Sequence, residues 1–326
     1  MAGTADIDTR DGLIYISAGE AGKVMVFNSY GNLITYVYDP VKNPRPVSIQ
    51  DSGEERNVVP WPFINPGFIA VVDGGFLVED AVEAEQRVVV PNSTAYNDRV
   101  ILKFSNNGKY LGHIGLEGNN GTPFPYIMSL DVRANGSFVV TSRVPEAWMS
   151  YWFTSTGTLL NTVIIHEDQI PGRENNGNTA VYSIRPDPVQ DMIHIRLDVY
   201  PDPRNGEMPE ARLYTLDINT LKYLEPIVLN YINENTKTGF PSIPPDYLGT
   251  IKGGYHIMLT PEGVNQYRLL LIEQDGRVKE SRQITVKESE VLYRRFRLQN
   301  DGMLAGIFFD NQEASVAWWR SDKLIE

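Results

Sequence analysis

The stretch Asp98-Arg-Val-Ile-Leu-Lys-Phe-Ser-Asn-Asn-Gly-Lys-Tyr-Leu111 holds two β-rich runs around one turn glycine, and the rest of the chain can be read from it. Val100-Ile-Leu-Lys-Phe104 leads in, Lys109-Tyr-Leu-Gly-His-Ile114 leads out, and a bulky residue stands four positions before the glycine. The same spacing recurs at Phe27-Asn-Ser-Tyr-Gly31, Phe153-Thr-Ser-Thr-Gly157 and Ile272-Glu-Gln-Asp-Gly276. Two further copies, Leu216-Asp-Ile-Asn-Thr220 and Trp319-Arg-Ser-Asp-Lys323, have lost the glycine. A second hairpin precedes each copy, with turns at Arg10-Asp-Gly12, Asp73-Gly-Gly75, Ala134-Asn-Gly136, Asp187-Pro-Val-Gln-Asp191, Lys252-Gly-Gly254 and Asn300-Asp-Gly302. Glycine belongs there because tight hairpin turns need positive φ, which a side chain disfavours.

Two hairpins per unit make four strands, and six units are visible, roughly residues 4–38, 67–115, 126–165, 179–229, 246–285 and 291–326. Helical periodicity is absent, whereas short runs such as Gly12-Leu-Ile-Tyr-Ile-Ser17, Phe76-Leu-Val-Glu79 and Ser137-Phe-Val-Val-Thr141 alternate with Gly, Asn, Asp and Pro. A fixed repeat of four-stranded antiparallel sheets predicts one all-β domain, a six-bladed β-propeller, with seven blades as the alternative. A β-sandwich would not reproduce the same two turns six times in one order. The last unit is expected to end on Lys323-Leu-Ile-Glu326 as its fourth strand, so that first and last blades meet by packing and not by exchanging strands.

Unequal spacing places insertions at 39–66, 81–97, 166–178, 199–209 and 230–245, where loops tolerate added length. Composition bounds the function. The chain of 326 residues is 42% hydrophobic, carries a net charge of −12 and contains no cysteine. That balance supports a sizeable core and opposes nucleic acid as a partner. Without cysteine there are no disulfides, thiolate metal sites or cysteine nucleophiles. No run approaches the ~18 apolar residues of a membrane-spanning helix.

Three aromatic–proline segments stand just upstream of inner strands: Trp61-Pro-Phe-Ile-Asn-Pro66, Thr122-Pro-Phe-Pro-Tyr126 and Gly239-Phe-Pro-Ser-Ile-Pro-Pro245. Trp61, Phe63, Phe124, Tyr126 and Phe240 either form an apolar collar for a partner or wedge between blades. In Val291-Leu-Tyr-Arg-Arg-Phe-Arg-Leu298, alternation puts Tyr293, Arg295 and Arg297 on one face and Arg294 on the other. With Asp6, Asp8 and Asp131 on other inner strands, these arginines either hold an anionic ligand bidentately or tie blades together in an internal network.

No catalytic residues are assigned. His113, His166, His194 and His256 stand far apart in sequence and form no His-x-x-x-His motif, so each is expected to be structural. No Gly-x-Ser-x-Gly elbow, phosphate loop or dinucleotide fingerprint occurs. No metal ligands are assigned either, although carboxylates distant in sequence could still assemble a channel Ca²⁺ site.

Lys23-Val-Met-Val-Phe-Asn-Ser-Tyr-Gly-Asn-Leu33 and the 98–111 stretch look like NHL-type propeller repeats. More specifically, Gly12–Glu20, Phe27–Gly31, Gly121-Thr-Pro-Phe-Pro125, Tyr151-Trp-Phe-Thr-Ser-Thr-Gly157 and the ending Ala314-Ser-Val-Ala-Trp-Trp-Arg-Ser-Asp-Lys-Leu-Ile325 resemble a family of spirochaetal predicted lipoproteins with a propeller body and no assigned activity. The resemblance covers nearly the whole chain. It implies an exported protein, periplasmic or held at the envelope by a lipid on a cysteine upstream of Met1. It supplies no catalytic residues. The expectation is therefore a non-enzymatic envelope propeller that binds a protein or peptide through its loop-rich face. The alternatives are a Ca-dependent hydrolase or lyase, and a receptor for anionic small ligands or sugars.

Overall fold

The structure, a computed structural model, describes residues 5–43, 56–90, 96–171, 179–200, 210–229, 245–263, 265–286, 291–311 and 313–324. Among them there are β-strands and short 3₁₀ turns but no α-helix. Six antiparallel sheets follow one another along the chain on the four-strand plan of a six-bladed β-propeller. Blade one pairs Ala5–Arg10, Leu13–Ala18, Lys23–Asn28 and Leu33–Tyr38 in order, and Asn57–Pro60 adds a parallel strand to its outer edge. Blade two runs Ile69–Val72, Gly75–Ala81, Arg99–Ser105 and Tyr110–Gly115, with Gly118–Asn119 added outside. Blade three runs Ile127–Val132, Phe138–Val144, Ala147–Phe153 and Leu159–His166. In blade four, Thr179–Pro186, Met192–Val199 and Glu210–Asp217 are followed by two short pieces, Lys222–Tyr223 and Ile227–Leu229, both paired with the third strand. Blade five is Asp246–Ile251, Tyr255–Gly263, Gln266–Ile272 and Val278–Thr285.

The repeat turns adopt the predicted geometry: Gly31, Gly108, Gly157 and Gly276 have φ of +82, +79, +95 and +86°. Blade six departs from expectation. Tyr293–Leu298, Met303–Phe309 and Ala314–Arg320 form a three-stranded sheet, and the chain then turns into a 3₁₀ helix, Ser321–Leu324, where a fourth strand was expected. The reason is local: no turn glycine reverses the chain here, and the Ser321 backbone N–H and Oγ both donate to the Gly302 carbonyl at 2.8 and 2.6 Å.

The chain divides into two compact units, one of residues 1–164 with 292–297 and 305–316, the other of 165–291 with 298–304 and 317–326. Within the first, apolar faces of successive sheets press together. Tyr15, Val24, Val26 and Val37 of blade one meet Phe63 of the crossover and Ile69, Phe76 and Phe104 of blade two. Ala70, Leu77 and Ile101 meet Leu130, Phe138 and Phe153 of blade three. Ile7, Ile14 and Ile16 meet Ala305 and Ile307 of blade six. Among the described residues the first and last sheets share no strand, so blades one and six meet by side-chain packing. In the second unit, Leu213 and Leu229 of blade four pack on Tyr247, Met258 and Leu270 of blade five. The core therefore lies between blades, which is why the strands carry apolar residues on both faces.

Candidate functional site

The aromatic–proline crossovers divide by burial. Phe63 sits in the core between blades one and two, and Phe124 in the core between blades two and three, edge-on to Tyr151 at a centroid distance of 5.3 Å. Trp61 is half-buried, stacked on Tyr110 at 4.1 Å and edge-on to Phe104 at 5.6 Å. Only Tyr126 of the four described aromatics stands out, 61% exposed. Phe240 lies outside the described residues.

Joined to this crossover by backbone hydrogen bonds is a surface that alternation and repeat spacing did not single out. The insertion in blade two contains a short 3₁₀ turn, Ala84–Gln86, and a two-stranded ladder, Val88–Val89 with Tyr96–Asn97. Val89 is 58% and Tyr96 52% exposed, and Val88 is exposed too. The chain leaving this ladder is tied to the crossover: the Asp98 and Arg99 N–H groups both donate to the Phe124 carbonyl, at 3.1 and 3.2 Å. Glu83 and Glu85 on the turn, with Arg87 at its end, give this rim a small acidic excess. Its sequence signal was Arg87-Val-Val-Val90, an apolar run inside an insertion that no blade strand requires.

The charged inner-strand residues are brought together in the first unit. Asp6 and Asp8, two apart and so on one face of their strand, accept the N–H groups of Ile69 and Val71 on the next inner strand at 3.1 and 2.6 Å. An inner strand has a free edge, and these carboxylates satisfy donors that no further strand pairs. Arg295 Nε donates to Asp6 Oδ1 at 3.0 Å, with its guanidinium 5.2 Å from the Phe68 ring. Tyr293 donates to the Ala5 carbonyl at 2.6 Å. Arg297, buried, donates through Nη2 to the Leu130 carbonyl of blade three and lies 3.7 Å through Nη1 from Asp131 Oδ1. Arg294 is exposed on the opposite face, as alternation predicts.

Two further carboxylates join this region, Glu79 and Asp80 on the second strand of blade two. Glu79 Oε2 accepts the Phe68 N–H at 3.1 Å, and a Cβ at Gly67 would collide with this carboxylate. Asp80 accepts the N–H groups of Ile64, Asn65 and Ala81 at 3.1, 2.7 and 2.9 Å, fixing the crossover. Burial pushes Asp8 and Glu79 up to about 7 and Asp80 up to about 6, against the opposing pull of Arg297 on Asp8 and of backbone N–H groups on the other two. Their signal in the sequence was a pair of acids inside the otherwise apolar run Phe76–Ala81.

In the second unit, two histidines remote in sequence come together. His194 and His256 stand on the second strands of blades four and five, with ring centroids 5.0 Å apart. His194 Nε2 is 3.1 Å from Asp187 Oδ2 and its Nδ1 3.0 Å from Thr215 Oγ1. Thr250 Oγ1 lies 2.9 Å from His256 Nδ1 and 2.7 Å from the Tyr247 hydroxyl. Burial, then the His194 neighbour, presses His256 down to about 3. Burial raises the Asp187 carboxyl, but the His194 hydrogen bond and the Gln190 and Val189 N–H groups outweigh it and hold Asp187 below its ordinary range. Among the described residues no three His, Asp or Glu side chains are grouped so as to hold a metal ion.

No family model and no curated protein matches the chain. Among solved structures, a PL25 ulvan lyase, a polysaccharide lyase bound to -[GlcA(1-4)Rha3S]-, aligns over 97% of this chain and 79% of its own, with 13% identity and a TM-score of 0.47. The β-propeller domain of the Trilobed protease from Pyrococcus furiosus aligns over 98% of this chain and 82% of its own, with 10% identity and a TM-score of 0.46. The Cps50 (Swd1) β-propeller domain of Myceliophteria thermophila aligns over 98% and 83%, with 8% identity and a TM-score of 0.45.

Proposed function

We propose that this propeller is a non-enzymatic binding module of the cell envelope that takes a protein or peptide partner on the blade-two rim. Tyr126, Val88, Val89 and Tyr96 supply the contact surface. One observation carries the reading. An insertion that the four-strand plan does not need forms a short ladder with large apolar side chains in solvent, anchored by backbone hydrogen bonds to the crossover bearing Tyr126. Rigid aromatic and aliphatic side chains held on a scaffold loop make good anchors, since little conformational entropy is lost when they are covered. Glu83 and Glu85 favour a partner with basic residues beside its apolar ones. The envelope location rests on the lipoprotein resemblance.

The inner-strand arginines favour no competing anion site, because Arg295 and Arg297 are directed at Asp6, Leu130 and Asp131. To test the rim, a photo-crosslinking residue is placed at 89 or 126 in cells, the captured protein is identified and purified, and its affinity is measured. The triple variant Val89→Asp, Tyr96→Ala, Tyr126→Ala is expected to weaken binding by at least about tenfold. Leu111→Ser, exposed elsewhere on the same blade, is expected to leave it unchanged. Equal affinity of the triple variant and the wild type overturns the proposal.

A further inference from the structure

An open strand edge is a row of unpaired N–H and C=O groups that another strand can extend, and proteins blunt such edges. The outer edges of most blades show how. Asn57–Pro60 covers blade one and ends in proline, and Gly118–Asn119 covers the end of blade two. Blade four ends in two pieces of two and three residues. Blade five ends on Val278–Thr285, which carries Lys279, Glu280 and Arg282. Blade six ends on Ala314–Arg320, which carries Arg320 and runs into the 3₁₀ helix Ser321–Leu324.

Blade three is different. Its sheet already has four strands, and its outer strand, Leu159–His166, is eight residues long with no acidic, lysine or arginine side chain and no proline. Among the described residues the one isolated backbone bridge beside it joins Gly118 to Thr158, just before the strand begins, and Gly118 also approaches the Leu159 backbone. Leu160 and Ile164, on one face of the strand, are 62% and 52% exposed.

We infer that this edge is a self-association surface, on which a second copy of the chain pairs antiparallel about a two-fold axis near Thr162. The backbone edge accepts an extended strand and nothing else in register. The absence of charge makes a second copy suitable, because no like charges come opposite each other on pairing. In the register centred on Thr162, Leu160 of one copy faces Ile164 of the other, and each covers the other's exposed side chain. The pairing stays within residues 160–164 and so clears the Gly118 bridge. The net charge of −12 on each copy opposes the approach, so association strengthens as salt screens it. A basic peptide on the same edge would show the reverse salt dependence. The seam is short, which predicts a weak dimer with a dissociation constant on the order of 100 µM.

Sedimentation equilibrium of the whole chain from about 10 µM to about 1 mM, at low and high salt, measures this. The expected result is a monomer–dimer equilibrium, tighter at high salt, that the double variant Leu160→Lys, Ile164→Lys abolishes. The absence of cysteine permits a register test. Thr162→Cys carries a single thiol that meets its own counterpart across the axis and is expected to form a disulfide dimer under mild oxidation. Leu160→Cys, whose counterpart falls opposite Ile164, is expected to do so at least about tenfold more slowly. A wild type that stays monomeric at about 1 mM in high salt overturns the inference. So does a dimer that the double lysine variant leaves intact, or equal cross-linking of the two cysteine variants. None of these results depends on the blade-two rim, which is tested separately.

Discussion

Arg196 in the second unit and Arg297 in the first are both buried, and their surroundings differ. Arg196 lays Nε and Nη2 along Asp198 at 2.9 and 3.2 Å, reaches Asp246 through Nη1 at 3.3 Å, and stacks 4.0 Å over the Tyr182 ring, whose hydroxyl also donates to Asp246. Arg297 donates to one carbonyl and makes a longer ion pair with Asp131, with Asp8 and Asp6 acting on it through space, and its Nη1 makes no hydrogen bond among the described residues. Its principal acceptor, Leu130, is 167 positions away in sequence, whereas Asp198 is two residues from Arg196 on the same strand face. A partner on one's own strand is in place as soon as the strand forms. A partner on another blade waits for the blades to assemble.

The largest test of that contrast removes each arginine. Arg196→Ala leaves Asp198 buried without its counter-ion and is expected to cost about 3–5 kcal/mol in urea unfolding. Arg297→Ala is expected to cost less, about 2 kcal/mol, because Asp131 is partly exposed and water can replace the lost donor. A larger loss at Arg297 would invert the comparison.

The buried titratable groups of the two units give opposite pH responses. In the first unit, Asp8, Glu79 and Asp80 have folded values raised above their ordinary 3.8, 4.5 and 3.8. The folded state then binds protons more tightly than the unfolded chain, so their contribution is fully present below about pH 4 and is lost as pH rises to about 7. In the second unit, His256 is depressed from 6.5 to about 3, so the unfolded chain binds the proton first and stability falls as pH drops from 6.5 toward 3. Asp187, also depressed, adds to that loss below its ordinary 3.8. Hydrogen exchange corrected for intrinsic rates should show segment 69–82 more protected at pH 5 than at pH 7.5, by about tenfold, and segment 247–259 the reverse. Asp8→Asn should flatten the first response and His256→Phe the second; parallel responses in both segments would remove the contrast.

The smallest effect expected is from Tyr182→Phe, which keeps the ring beneath Arg196 and deletes only the hydroxyl bond to Asp246, at about 0.5–1 kcal/mol. A loss approaching that of Arg196→Ala would show that Asp246, and not Asp198, dominates the site.

Legibility in the sequence followed the range of each interaction. Alternation separated Arg294 from Arg295 and Arg297 correctly, because strand faces have a period of two. The same reasoning could not separate Phe124 from Tyr126: both lie on one aromatic–proline crossover, yet one is in the core and the other in solvent. His194 and His256 were invisible as a pair because their proximity arises from the packing of one blade on the next. Glu79 and Asp80 carried a readable signal, acids within a buried run, but their acceptor roles depend on where the crossover 64–68 lies.

By itself the sequence determined the all-β class, the six-unit count and the position of most turns, because a hairpin is specified by a positive-φ residue and flanking alternation within about a dozen residues. Where the turn glycine was missing at the chain's end, the same local rule explains why a 3₁₀ helix replaces the expected strand. The tertiary structure alone decided which aromatics became wedges, which carboxylates on other blades the arginines found, and which outer edge, among the described residues, stayed bare. Those outcomes depend on contacts between blades, and such contacts are made by residues whose spacing along the chain carries no information about their distance in space.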